Sequence, residues 1–325
     1  MKATFRMQED VYRSKIILKF NKIIICFLTR NLEGFETFAF YTNKVLICDK
    51  FRNKCGFYVL VSRREKIITI AFSGSVTQTQ TMLQTLSSFR KRVFYKKLGL
   101  VNQYYANSFE ILWRYVRRVF YEPLYRNFKV YITGHSLGGV HASLAAINIH
   151  LSKLRKSEDI FLYTFGEPRF GSYEFAVNFD KRIPNSWRVV VGSDIVPHFP
   201  PCKKMSEKGL NFYKKLFKKK RSRPCDPHDH NGYYHHSLEI WYPMGTTKHF
   251  FKCYGFPKNE DFECSDGLVF NKRDILLNLE QHQFYFTHAV KQNIEMFLFR
   301  TNGSCIIKNT PGNRRRLLDK KLSKN

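Results

Sequence analysis

The chain is predicted to form an α/β fold, a central and mainly parallel sheet flanked by helices. Two observations carry that prediction. From residue 109 onward, β-forming runs alternate with stretches of helical periodicity, the pattern of strand–helix–strand units whose strands lie parallel. In addition, the β-forming run Lys129–Thr133 meets the turn Gly134-His135-Ser136-Leu137-Gly138, which leads into small helix-compatible residues from Gly139 to Ala146. At 325 residues and 43% hydrophobic content the chain is large enough to bury one full core, so one domain is expected.

Taken in order, residues 1–45 read as irregular and basic, 46–310 as the folded domain, and 311–325 as a disordered tail carrying Arg314, Arg315, Arg316, Lys320, Lys321 and Lys324. Gly56–Ser62 and Lys66–Phe72 are β-rich and separated by the charged turn Arg63-Arg64-Glu65, hence a hairpin. In 76–93, Met82, Leu83, Leu86 and Phe89 fall at i, i+1, i+4 and i+7, one apolar face of a helix. Phe109, Leu112, Trp113, Val116 and Phe120 form a second apolar stripe at helical spacing, suited to core packing. The strand and helix around Ser136 follow. Ile160–Thr164 and Trp187–Gly192 are then two further strands, separated by the turn Gly166–Gly171 and a short helical stretch.

The Gly-x-Ser-x-Gly turn carries the chemistry. A serine at the top of a sharp strand-to-helix turn sits in strained backbone geometry, and its neighbours two positions away must lack bulk. Gly134 and Gly138 meet that need. The hydroxyl of Ser136 is expected to stand exposed, beside a helix start whose free N–H groups suit a developing oxyanion. Parallel sheets place their chemistry at the carboxyl ends of the strands. Ser136 and Asp194 each follow a predicted strand, and so are expected to share that edge.

Five ordered blocks then point to a family. Gly134-His135-Ser136-Leu137-Gly138-Gly139 with Ala142-Ser143-Leu144-Ala145-Ala146 is one, and Ala71-Phe72-Ser73-Gly74-Ser75 another. Thr164-Phe165-Gly166-Glu167-Pro168-Arg169-Phe170-Gly171, Asp194-Ile195-Val196-Pro197-His198-Phe199-Pro200-Pro201 and His282-Gln283-Phe284-Tyr285-Phe286 complete the set. Together, from about Cys48 to Cys305, they resemble the class 3 lipases, the family of the fungal triacylglycerol lipases, and suggest a secreted, nematode-type member.

The resemblance implies an α/β-hydrolase fold and a serine ester hydrolase acting on lipids without cofactor or metal. It implies Ser136 as nucleophile, Asp194 as acid and His282 as base, in the serine–acid–histidine order of that fold. It also implies an oxyanion hole from Ser75 and the N–H of Leu137, and a lid over 76–93. His288 is the rival base; the His-x-x-Tyr-Phe spacing selects His282. Ser73 and Gln281 stand where the family usually carries Arg and Asp. A phospholipase, a small acyl-esterase, and an inactive lipid- or surface-binding relative are the alternatives of the same fold.

The cysteines number eight: Cys26, Cys48, Cys55, Cys202, Cys225, Cys253, Cys264 and Cys305. An even set without a Cys-x-x-Cys pair reads as disulfides in an oxidising compartment, a reduced set being the alternative. Sequence order suggests Cys48–Cys55, Cys202–Cys225 and Cys253–Cys264, and leaves Cys26 with Cys305, tying the ends together as in the fungal members. Secretion is therefore expected. The amino-terminal apolar runs are broken by Lys19, Asn21 and Lys22, too soon for the roughly 7–15-residue core of a signal peptide, so an upstream start is expected.

Charge is lopsided, with 55 Lys and Arg against 26 Asp and Glu, a net +29, which favours anionic partners. The Lys203–Arg223 loop holds ten basic residues against Glu207 alone, with Phe212, Tyr213, Leu216 and Phe217 interleaved. It reads either as a basic amphipathic element for an anionic membrane or lipid-droplet surface, or as a solvated insert. No nucleic-acid module accompanies it, so nucleic acid is not expected. Pro227-His228-Asp229-His230 and His235-His236 lack the fixed spacing of a zinc site, and His236–Tyr242 instead resembles the family's structural block. Asn302-Gly303-Ser304 is a glycosylation sequon in a secreted chain.

Overall fold

In the computed structural model the β-forming runs pair into two sheets. The structure describes residues 38–49, 54–73, 91–206, 222–246, 248–255, 258–282 and 285. In chain order the first strands are β1 (Phe38–Ile47), β2 (Lys54–Ser62), β3 (Ile67–Phe72), β4 (Arg92–Phe94), β5 (Leu100–Asn102) and β6 (Lys129–His135). They continue as β7 (Ile160–Phe165), β8 (Gly171–Ser172), β9 (Ser186–Val191), β10 (Tyr233–Tyr234), β11 (Leu238–Tyr242) and β12 (Phe251–Cys253). The helices are α1 (Gln103–Val116), α2 (Leu137–Leu151), α3 (Tyr173–Asp180) and α4 (Ile275–Gln281).

The large sheet has eight strands in the order β1-β2-β3-β6-β7-β9-β11-β12. Its centre, β3-β6-β7-β9-β11, is parallel throughout. The hairpin partners β1 and β2 on one side and β12 on the other run antiparallel. This is the mainly parallel sheet of an α/β-hydrolase. The four-stranded sheet β10-β8-β5-β4 was not foreseen, because strands of two or three residues are too short to show alternation.

Two expectations are corrected. β1 occupies Phe38–Ile47, taking up the end of the stretch 1–45 read as irregular, and the compact unit runs from Phe38 to Phe286. Arg92 and Val93, assigned to the end of the 76–93 helix, belong to β4, where Arg92 pairs with Asn102; pairing with β5 overrides a helical period carried by only a few residues. The rest of that segment, 76–90, lies outside the described residues, as does the tail 311–325.

Helix α1 is capped by Asn102, whose side chain accepts from Tyr104 N at 2.9 Å, and it buries Tyr105, Phe109, Leu112, Trp113 and Val116. Phe109 stacks on Trp113 at 5.7 Å; each such fully buried side chain contributes about 1.5–3 kcal/mol. The stripe continues into a 3-10 turn, Arg117–Tyr121, where Phe120 is also buried. Helix α2 behaves differently. Every residue from Gly138 to Ile149 is buried, so it is a core helix enclosed on all sides, with its polar Ser143, His141 and Asn148 hydrogen-bonded inside. Its small residues let it lie against β6 and β7.

Cys48–Cys55, Cys202–Cys225 and Cys253–Cys264 are disulfide-bonded, the three local closures suggested by sequence order. Cys26 and Cys305 lie outside the described residues. Near two of these bridges sits a buried charge network. Arg169 donates Nε to Glu260 Oε1 at 2.8 Å and Nη2 to Asp266 Oδ1 at 2.7 Å, and Arg188 pairs with Glu239 at 3.0 Å. Among the described residues, no helix is long and apolar enough to cross a membrane.

Candidate active site

Ser136 sits between β6 and α2 with φ 58° and ψ −128°, a left-handed conformation that a non-glycine residue holds only where its surroundings enforce it. The enforcement is visible. A Cβ on Gly134 would stand 2.1 Å from Gly138 O, and one on Gly138 would stand 2.4 Å from Phe72 O. Ser136 N donates to Phe165 O at 2.9 Å. The serine is only 5% exposed, which corrects the expectation of an exposed hydroxyl. The backbone of Phe72 and Ser73 packs directly on the turn at Gly138. Leu137 is the first residue of α2, so its N–H belongs to the first-turn donors that lack an intrahelical acceptor.

Asp194 follows β9 on the turn through Gly192, whose φ is +54°, and it is fully buried. Its Oδ1 accepts from Val196 N at 2.9 Å. Its Oδ2 accepts from His282 Nδ1 at 2.8 Å and from the Tyr285 hydroxyl at 2.6 Å. The carboxylate therefore fixes the His282 tautomer: Nδ1 carries the proton and Nε2 presents its lone pair. That Nε2 is buried with no hydrogen-bond partner among the described residues. His282 itself closes the C-terminus of α4.

Two residues hold His282 from the other side. His135 Nε2–H donates to the His282 carbonyl at 2.8 Å, and the two rings lie 4.4 Å apart at 30°. Burial, then the charge of His282, lowers the His135 pKa to about 4, so this imidazole is neutral at ordinary pH. Gly166, at φ +58°, leaves the space: a Cβ there would stand 2.7 Å from His282 Cε1 and 3.0 Å from Asp194 Oδ2. Ser136, His282 and Asp194 are thus linked through shared neighbours. His135 precedes the serine, and Gly166 follows the Phe165 carbonyl to which Ser136 N is bonded.

Beneath the turn, Glu167 accepts from Ser143 Oγ of α2 at 2.7 Å and from Thr164 Oγ1 of β7 at 2.6 Å. Its carboxylate lies 3.4 Å from His236 Nε2. Burial alone would raise its pKa, but His236 and these hydrogen bonds hold it below the ordinary carboxylate value. Ser73 donates both N and Oγ to Gly56 O, at 2.9 and 3.2 Å, and so anchors the loop start where the family carries an arginine.

The histidine cluster does not converge. His228 and His230 stand exposed on a turn, His235 bonds Pro197 O at 2.7 Å, and His236 packs on Phe179 at 4.1 Å. Two groupings, Glu239–Cys253–Cys264 and Cys225–Glu260–Asp266, have ligand atoms close enough to share an ion. Their sulfurs are in disulfides and their carboxylates face Arg188 and Arg169, a poor metal site. Ser75, His288 and residues 207–221 of the basic loop lie outside the described residues.

Sequence reasoning assigned no role to His135, Gly166 or Tyr285. The signal for Tyr285 was present in the His-x-x-Tyr spacing. Tyr285→Phe removes a charge-assisted hydrogen bond to Asp194 while the direct His282 bond persists. Such a bond is worth about 1.5–3 kcal/mol. The expected result is a roughly tenfold or greater loss in kcat/KM on a soluble ester, with KM little changed.

The class 3 lipase family model matches residues 69–204. A lipase of the nematode Caenorhabditis elegans is 41% identical over 234 residues, 71% of this chain and 65% of the relative. A Rhizopus niveus lipase is 32% identical over 149 residues, 44% of this chain and 37% of the relative. The chain thus spans less than two thirds of the length of these relatives. Among solved structures, a triacylglycerol lipase described as having a serine protease triad at its catalytic centre superposes with a TM-score of 0.56 at 25% identity, over 77% of this chain and 81% of that one. A lipase from Rhizopus microsporus var. chinensis has the same fold, with a TM-score of 0.55 at 20% identity over 79% of this chain and 83% of that one.

Proposed function

We propose that this chain, which the class 3 lipase family model matches over residues 69–204, is a serine carboxylic-ester hydrolase that cleaves lipid esters through an acyl-enzyme. The observation that carries this reading is the His282–Asp194 pair, 2.8 Å apart, packed by the neighbours of a serine held at φ 58°. In the proposed reaction Ser136 Oγ attacks the ester carbonyl and passes its proton to His282 Nε2. Asp194 stabilises the imidazolium through Nδ1–H. The tetrahedral oxyanion takes hydrogen bonds from Leu137 N–H and from Ser75. As the C–O bond breaks, His282 returns the proton to the leaving alcohol. Water, deprotonated by the same nitrogen, then attacks the acyl-serine and releases the carboxylic acid and free Ser136.

Each positioning group has a place in this cycle. Neutral His135 holds the His282 backbone without adding a competing positive charge. Tyr285 and Val196 N keep the Asp194 carboxylate aligned. A fluorophosphonate probe followed by peptide mapping tests the reading directly. An adduct on Ser136 is expected. Folded protein that takes no label there would make the chain an inactive relative.

Three disulfides support an extracellular location, and a Fusarium solani relative, 44% identical over 75 residues, is named as a secreted mono- and diacylglycerol lipase. For the substrate surface, the Lys203–Arg223 loop supports docking on anionic lipid, since each Lys or Arg that reaches such a surface contributes about 1 kcal/mol. Activity on vesicles carrying acidic lipid is expected to exceed that on neutral vesicles, and added salt to erode the difference. Replacing Lys214, Lys215, Lys218, Lys219 and Lys220 with Gln should remove the preference and spare turnover of a soluble short-chain ester. Equal vesicle activity of variant and parent at low salt would leave the loop a solvated insert. Triacylglycerol, phospholipid and short-ester substrates assayed side by side distinguish the lipase from the phospholipase and esterase alternatives.

A further inference from the structure

The large sheet ends in an exposed apolar corner. β12 is its last strand and pairs with β11 so that Phe251 stands opposite Trp241. After β11 the chain turns at Tyr242–Gly245, where Gly245 N donates to Tyr242 O at 3.3 Å. Three large apolar side chains project here: Met244, Phe250 and Phe251 are 73, 48 and 55% exposed. They rest on half-buried aromatics, Phe250 on Tyr242 at 5.4 Å and Phe251 on Trp241 at 6.1 Å between ring centres. The corner is also tied to the candidate site. Trp241 Nε1 donates to Gly192 O at 3.0 Å, and Gly192 N donates to Tyr242 O at 2.8 Å. Because β11 runs parallel to β9, the turn after Tyr242 leaves the sheet at the edge where Asp194 stands. A surface that meets this corner therefore meets the sheet edge that carries Asp194.

Single exposed apolar residues are ordinary, but large ones gathered around one corner mark an interaction surface. The charges select the partner. From Ile240 to Lys258 the chain has no Asp or Glu. Lys248 and Lys252 are exposed among the apolar side chains, and neither makes an ion pair among the described residues. A second copy of the chain fits badly. β12 has three residues with Lys252 at its centre, so antiparallel pairing with its own copy would set Lys252 opposite Lys252. Like charges directly opposite are destabilising, and a lysine on an edge strand blocks such pairing. The net charge of +29 adds to the repulsion. An anionic lipid surface suits the same features. Phe and Met side chains sink shallowly into the headgroup–acyl boundary, with Trp and Tyr at headgroup level. Lysine stems lie along the apolar side chains while their ammonium groups reach anionic headgroups.

We propose that the β11–β12 corner is a docking surface for anionic phospholipid bilayers, inserting Met244, Phe250 and Phe251 and acting separately from the Lys203–Arg223 loop. The test reads binding and not turnover, so it stands apart from the ester-hydrolase reading. The full chain is floated with vesicles of ether-linked phosphatidylcholine and phosphatidylglycerol in equal parts, which offer no carboxylic ester to cleave. The parent is expected to float with the vesicles. Phe250→Thr combined with Phe251→Thr, which keeps a β-forming residue at both positions, should weaken partitioning about tenfold or more. That loss should persist in added salt, because it is apolar. Lys248→Gln and Lys252→Gln should each weaken partitioning about fivefold, and only at low salt. Melting temperatures report whether each variant folds. If the double Phe variant does not fold, an ether-linked phospholipid with a diazirine on its acyl-equivalent chain, mixed into the vesicles with the parent protein, should crosslink to peptides containing 244–251. A parent that stays unbound, a folded Phe variant that partitions like the parent, or crosslinks confined to other peptides, the 203–223 loop included, would overturn the proposal. A dimer by light scattering that the Phe variant converts to monomer would also overturn it, making the corner a contact between copies.

Discussion

Ser136→Ala reduces turnover of a soluble short-chain ester to background, while the melting temperature and circular dichroism stay close to those of the parent. The side chain is small, and the left-handed turn that holds it is imposed by Gly134, Gly138 and the Phe72 backbone, none of which changes. His282→Ala and Asp194→Asn each cost on the order of a thousandfold or more in kcat/KM. Asp194→Asn also lowers the melting temperature, because one amide oxygen and one NH₂ replace a carboxylate that accepts from Val196 N, His282 and Tyr285. If His288→Ala inactivates the protein and His282→Ala leaves it active, the base is misassigned.

The second large effect is acid lability above the range where carboxylates titrate. Burial holds His141 down to about 3 and, with the charge of His282, His135 down to about 4, against about 6.5 for an unfolded histidine. Between those values the unfolded chain binds more protons than the folded one, so stability is full above pH 6.5 and falls as pH drops toward 4. At pH 5 each histidine subtracts about 2 kcal/mol, or about 4 kcal/mol together, out of the ~5–15 kcal/mol typical of a domain. His235, also lowered by burial and by Arg188, acts in the same direction. Glu239 and Glu260, raised by burial, work against the trend, gaining stability as they take up protons. Urea denaturation at pH 7.5 and pH 5.0 measures the net result. The midpoint is expected to fall clearly at pH 5.0, and an unchanged midpoint would mean either that His135 and His141 accept protons in the folded state or that Glu239 and Glu260 offset them in full.

Much of this was legible before any coordinates. The turn around Ser136 announces itself because only glycines tolerate its contacts, and the flanking strand and helix follow from composition. The pairing of Asp194 with His282 followed from their blocks, and the three disulfides from their order. What stayed hidden depends on juxtaposition across long stretches of chain. Nothing local marks His135 as the residue that stacks on His282, or Gly166 as the space between His282 and Asp194. The short strands β4, β5, β8 and β10 exist because their neighbours offer hydrogen bonds, not because two or three residues prefer to be extended. The depth of Ser136, only 5% exposed, is likewise something motif spacing does not encode.

The bond between Asp194 and His282 joins positions 88 residues apart, and that between Asp194 and Tyr285 joins positions 91 apart. Most of the parallel sheet, by contrast, is complete once β9 has paired with β7. The proposed nucleophile and acid therefore belong to a scaffold that forms early along the chain, whereas the proposed base arrives on the seven-residue helix α4, which follows the last strand. Contacts of such long sequence separation are entropically slow to close. In the proposed reaction, chemistry would therefore report on the protein's own assembly. In that reaction a chain that has built its sheet but not yet seated its final helix would be a folded object without a base, inert toward esters until the last segment docks.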